Sequence, residues 1–193
     1  MSNRIITISR EFGSGGHTVG KKVAERLGIP CYDNELIQKI AEQSGFVEEY
    51  IKEEGEHVPQ SSWLASAFTG WNWNGPSNQD LLWTIQRNII LELAEKESCV
   101  IVGRCADFIL RDKNCLRVFL HARLEKRAVR IVNEYGERRE APEQRLKSKD
   151  KRRASYYRFY TDMKWGQSQN YHIALDSGEL GLDKCADIIC SLY

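Results

Sequence analysis

The sequence predicts an α/β fold, a doubly wound parallel sheet of five strands with a helical insertion and a lid-like excursion. Three observations predict it. Apolar runs without alternation recur along the chain, which marks strands buried on both faces. Helical patterns separate those runs, as parallel crossover units require. The first strand leads through a glycine-rich turn directly into an amphipathic helix, in "ITISREFGSGGHTVGKKVAERLG".

The elements follow in order. "RIITIS" (4–9) is the first buried strand, and the helix over 17–27 stops at Gly28, a residue suited to a left-handed cap. "IPCYD" (29–33) reads as a short strand, followed by helices over 34–44, 48–55 and 78–97. "CVIVG" (99–103) and "LRVFLHA" (116–122) are the next buried strands. The helix over 123–136 carries Leu124, Ala128, Ile131, Val132 and Tyr135 as one apolar stripe. A helix over 140–162, the strand "YHIALD" (171–176) and a helix over 181–192 complete the series.

Two segments exceed a simple strand–helix unit. The first, 45–77, contains "SSWLASAFTGWNWNGPSN". Its Trp63, Trp71 and Trp73 are costly to leave in water, so a substrate lid and a homodimer interface are equally good readings. The second, 137–170, is strongly charged and then aromatic, and reads as a lid or a solvated helix. Within it Tyr156, Tyr157, Tyr160 and Trp165 either stack a base or anchor the helix to the core, the commoner fate.

The whole chain, 1–193, reads as a single domain. With a net charge of +1 it has no bulk attraction for nucleic acid or membrane, and no apolar run is long enough to span a bilayer. The N-terminus enters a strand without a signal-peptide pattern. The six cysteines form no C-x-x-C pair, which suits free thiols in a reducing cytoplasm and argues against zinc.

The glycine-rich turn is the chemical signal. Gly13, Gly15 and Gly16 let successive N–H groups curl inward, with Ser14 and His17 completing the loop. The helix that follows adds unpaired N–H groups and partial positive charge. Thr18 stands where a hydroxyl holds magnesium on the β- and γ-phosphates. With Gly15 as the second glycine of such a loop, Gly16 takes the position of the usual lysine, and Lys21 lies too far into the helix to replace it. A tight turn without a ligand is the plain alternative.

In combination, "ISREFGSGGHTVG", "YDNELI", "CVIVGRCADFIL", "RVFLHARLEKRAVRI", "DKRRASYYRFYTDMKWG" and "NYHIALDSGELGLD" resemble the cytidylate kinase-like family, relatives of the P-loop nucleoside monophosphate kinases. The resemblance implies a P-loop kinase sheet, with ATP as phosphoryl donor, magnesium, and a nucleoside monophosphate or related small acceptor. It implies that Gly13 to Thr18 bind nucleotide phosphates. It places Asp33, Arg104 and Asp150 on the acceptor side, and matches Asp150 and Arg153 to a "DxxRA" lid. Arg127 and Arg130 are similar to the paired arginines of "ERAxRR". Two acids of the family's "DGRD" motif are replaced by Val102 and Cys105, which weakens the case for cytosine recognition. The lysine-less loop also admits a nucleotide-binding regulatory protein without turnover.

Phosphoryl transfer depends on positioning and charge neutralisation. Arginine can supply the charge and grips phosphate bidentately. The sequence therefore nominates Arg10, Arg104 and Arg153 as catalytic cations, with Arg10 standing beside the loop and Arg153 closing on it.

Overall fold

The computed structural model describes residues 3–33, 76–136, 138 and 140–193. The helices expected over 34–44 and 48–55, and Trp63, Trp71 and Trp73, lie outside the described residues. Five parallel strands form one sheet in the order β2-β3-β1-β4-β5. They are β1 (Ile5–Arg10), β2 (Cys31–Tyr32), β3 (Cys99–Val102), β4 (Cys115–His121) and β5 (Ile173–Asp176). The helices are α1 (Gly16–Leu27), α2 (Pro76–Lys96), α3 (Ala106–Ile109), α4 (Leu124–Asn133), α5 (Pro142–Thr161) and α6 (Leu182–Ser191).

β1 takes the centre because every residue but Arg10 is buried, which only a strand covered on both faces allows. Ile6, Ile8, Val100, Val102, Val118, Leu120 and Leu175 from the sheet meet Val19 and Val23 of α1 and Ile189 of α6. Ile8 pairs with Val102 and Arg10 with Leu120, so β1 outruns β3 by two residues. Arg10 thus emerges beside the turn that follows β3. The order of strands changes direction at β1, and the crevice between β1 and β3 is where such sheets bind ligands.

The stripe expected on α4 is rotated. Ile131 is buried, but its buried partner one turn back is Arg127, and Tyr135 lies past the helix end and faces solvent. A charged side chain at the core face defeats an apolar-pattern reading, and its bonds explain why it is tolerated there. All six cysteines are free thiols, four of them buried. No helix among the described residues is long and apolar enough to cross a membrane.

The aromatic residues of α5 anchor it. Tyr157 donates to Asp107 Oδ2 at 2.7 Å, and Ser9 Oγ donates to Asp107 Oδ1 at 3.1 Å. Tyr160 stacks on Trp83 of α2 with centroids 4.4 Å apart, and Trp165 meets Phe119 edge-on. One buried carboxyl therefore ties α3, β1 and α5 together. Burial raises the Asp107 pKa above the ordinary carboxylate range, against the bonds from Tyr157 and Ser9. Such a group favours folding most at low pH, and the contribution is lost as pH rises through its folded pKa. Asp107→Asn removes that dependence. In urea unfolding, the stability difference between the two proteins is expected to move toward the variant as pH rises above the ordinary aspartate range. A difference flat with pH would show that Asp107 titrates normally in the fold.

Candidate phosphate-binding site

The loop between β1 and α1 is shaped by what surrounds it. Gly13 and Gly15 adopt φ of 78° and 82°, in the left-handed region. A Cβ on Gly13 would stand 2.8 Å from Ile131 Cγ2 and 3.2 Å from Arg127 Cβ, and one on Gly15 would collide with Leu182. The loop is pressed between α4 and the start of α6, and both positions exclude a side chain on conformational and steric grounds.

Three donors hold its carbonyls outward. Arg127 Nη1 donates to Phe12 O at 3.1 Å, Arg130 Nη1 to Gly13 O at 3.0 Å, and Ser177 Oγ to Ser14 O at 2.5 Å. In a planar trans peptide the carbonyl of one residue opposes the N–H of the next. The amides of Gly13 and Gly15 therefore face away from those donors, toward the inside of the loop. Ser14 N–H instead closes a turn onto Glu11 O at 3.2 Å. The first intrahelical bond runs from Val19 N–H to Gly15 O at 2.9 Å, leaving the amides of Gly16, His17 and Thr18 as the helix's orphan donors. Among the described residues, no protein group accepts from Gly13, Gly15, Gly16, His17 or Thr18 N–H. Five inward donors at a helix N-terminus form an anion cradle.

The brace is itself braced. Arg127 is 7% exposed; its Nε donates to Ala122 O at 2.9 Å and lies 3.4 Å from Glu11, and its Nη1 reaches Asp150 Oδ2 at 2.5 Å. Asp150 Oδ1 accepts from Phe12 N–H at 2.7 Å. Both oxygens of Asp150 are thus engaged with the loop and its brace. Arg153 Nη1 donates to Arg10 O at 3.0 Å, and Lys149 lies over the Phe12 ring at 3.8 Å. The helix expected as a lid is docked against the outer side of the loop.

Two of the residues expected on the acceptor side, Arg104 and Asp33, lie at the crevice, whereas Asp150 is engaged with Phe12 and Arg127 at the loop. Gly103, Arg104 and Cys105 are three consecutive left-handed residues, with φ of 81°, 57° and 54°. Non-glycine residues held there cost about 1–3 kcal/mol each and cluster at functional sites. Burial lowers the Arg104 pKa, against the nearby Tyr156. Val102 and Cys105, at the positions of the two acids, are buried. Asp33, directly after β2, pairs with His17 at 2.7 Å and so links the crevice to the loop. Arg10 is pushed down to about 9, first by burial and then by the charges of Arg153 and Arg104, with Asp33 opposing. The structure thus brings Arg10, Arg104, Arg153 and Asp33 together. Thr18 lies on the first turn of α1 beside the Tyr135 phenol.

The sequence matches Arg127 and Arg130 to a paired-arginine motif without showing what they hold, and it does not single out Ser177 or Glu11. A signal existed for the first pair, because an i,i+3 arginine pair beside Ile131 sits on a face that turns inward. For Ser177, in "LDSGE", the sequence carries no such signal.

With this geometry in place, the comparisons with known proteins fix the family. The chain belongs to the cytidylate kinase-like family, whose model matches residues 5–179. It is similar to an uncharacterized protein from Eubacterium ventriosum ATCC 27560, at 33% identity over 98% of both chains with a TM-score of 0.74. Two more distant structures share the fold. A shikimate kinase from Acinetobacter baumannii, in complex with shikimate, is 18% identical over 99% of this chain and 93% of its own, with a TM-score of 0.54. A gluconokinase from Sinorhizobium meliloti 1021 is 17% identical over 100% and 98%, also with a TM-score of 0.54. No curated protein sequence matches the chain.

Arg127→Ala would strand the Asp150 carboxylate and release the Phe12 and Ala122 carbonyls. Breaking a buried pair from one side costs about 3–5 kcal/mol. Urea unfolding is expected to show a loss of that size, and retention of parental stability would show that the loop holds its shape without this brace.

Proposed function

We propose that this member of the cytidylate kinase-like family is an ATP-dependent phosphotransferase, acting with magnesium on a nucleoside monophosphate or a related small acceptor. The cradle of inward amides at the carboxyl end of the central strand carries the reading. It suits a polyphosphate in sign, at the place where open α/β sheets bind ligands. ATP would supply the γ-phosphoryl group, and magnesium, held on the protein side by Thr18, would neutralise charge on its phosphates. Among the described residues no cluster of three or more metal-ligating side chains occurs. Magnesium in kinases is held mostly by phosphates, water and one or two side chains, so Thr18 with its neighbours fits that pattern.

The division of labour follows from position. Gly13, Gly15, Gly16, His17 and Thr18 hold the donor phosphates; Ser14, expected among them, instead shapes the loop, since its N–H and hydroxyl both go to Glu11 O. Arg104 and Asp33 face the acceptor across the crevice, and Asp150 holds the rim of the loop. Arg153, already against the Arg10 carbonyl, neutralises charge from the lid side. The free thiols suit a cytoplasmic enzyme.

A second reading, a nucleotide-binding regulatory protein without turnover, is favoured by the burial of Val102 and Cys105 where the family's acids stand. A coupled ADP-release assay across nucleoside monophosphates and nucleosides separates the two. Acceptor-stimulated ADP release is expected, with CMP no better than other acceptors. Thr18→Ala is expected to slow turnover about 10- to 100-fold, equivalent to about 1.4–2.8 kcal/mol. ATP binding without ADP release for any acceptor would favour the regulatory reading. Efficient and selective CMP phosphorylation would show that the missing acids do not matter.

A further inference from the structure

The phosphate loop of this chain carries a reciprocal exchange. In the pattern G-x-x-x-x-G-K, the lysine follows the second glycine directly and the first glycine lies five residues before the second. With Gly15 as the second glycine, the lysine position holds Gly16 and the first-glycine position holds Arg10. The structure shows why the two changes go together. A Cβ on Gly16 would lie 2.5 Å from Arg10 Cγ, 2.7 Å from Arg10 Cβ and 3.3 Å from Arg10 Cδ. The stem of Arg10 fills the space that a side chain at 16 would need, and the conflict already involves its Cβ.

The cation has also moved sideways. A Cβ on Gly103 would collide with Arg10 Nη1 and stand 2.8 Å from Cζ. Gly103 follows β3, whereas the cradle follows β1, and adjacent strands are about 4.8 Å apart. The Arg10 guanidinium therefore sits one strand over from the amides, at the crevice. No described residue accepts a hydrogen bond from it, and it is crowded by Arg104 and Arg153. Gly103 lacks a side chain where that guanidinium passes.

We infer that Arg10 is the relocated cation of the phosphate loop, that it and a lysine at position 16 are mutually exclusive, and that it contacts the outermost, transferable phosphoryl group rather than the inner phosphates held by the amides. The inference rests on the kinase reading above and adds which residue distinguishes ATP from ADP.

Titration calorimetry with ATP and with ADP, each with magnesium, tests it on the full chain. Arg10→Met keeps the stem and removes the charge. It is expected to weaken ATP about 10- to 100-fold and ADP less than about threefold, since a charged bond is lost from the outer phosphate alone. Gly16→Lys alone is expected to lose ATP affinity and to unfold at lower urea. Arg10→Gly combined with Gly16→Lys removes the collision. It is expected to recover ATP affinity to within about tenfold of the parent, short of full recovery because lysine is a single point charge. Equal ATP affinity in the parent and Arg10→Met would overturn the inference and leave the kinase reading intact. An equal loss of ATP and ADP in that variant would also overturn it, since Arg10 would then act through the shape of the loop. A parent protein that binds neither nucleotide would overturn the kinase reading itself and the inference with it.

Discussion

Everything at this site depends on the direction in which three carbonyls point. Phe12, Gly13 and Ser14 each give their carbonyl oxygen to a donor outside the loop, from Arg127, Arg130 and Ser177 respectively. Peptide planarity then turns the amides of Gly13 and Gly15 the other way. A glycine-rich loop is free to adopt many shapes, and ordering it costs backbone entropy. Here that cost is met in the fold, before any ligand arrives, by side chains on α4 and after β5. An anion entering the cradle finds its donors already oriented, which is the condition for electrostatic stabilisation without reorganisation.

The same constraint links the site to the rest of the molecule. Arg127 joins the loop to Asp150 of α5 and to Glu11 at the end of β1. α5 is in turn fixed to the core through Tyr157 and Asp107. A chain of buried polar contacts thus runs from the core carboxyl through the charged helix to the loop. Polar networks of this kind are costly unless fully satisfied, and once satisfied they specify one arrangement. The docked α5 places Arg153 against β1, so three guanidinium groups share one crevice. Their mutual repulsion is offset in part by Asp33, and an entering polyphosphate would offset the rest.

The sheet was legible because burial on both faces writes itself as unbroken apolar runs such as "CVIVG" and "RIITIS". The loop was legible because its glycines and the helix after it have few other uses in that order. Arg10, Arg104 and Arg153 were legible as cations near the loop. Their convergence with Asp33 depends on register, which brings Arg10 two residues past the end of β3. The brace was not legible. Arg127 breaks the apolar stripe of α4 and reads as a surface charge, since only the fold shows that its face turns toward Phe12. Ser177 is short, polar and follows a strand, like many loop residues that do nothing. The exchange between positions 10 and 16 was half visible: the absent lysine could be counted, but the collision that excludes it needs coordinates.

The central claim is that the amides of this loop face inward and take an anion. The most direct measurement is the backbone amide spectrum of isotopically labelled protein titrated with pyrophosphate and then with ATP and magnesium. The account predicts large downfield shifts for the amide protons of Gly13, Gly15, Gly16, His17 and Thr18, and a small one for Ser14, whose N–H is held by Glu11 O. Unmoved glycine amides at saturating ligand, with shifts gathered elsewhere on the protein, would contradict it.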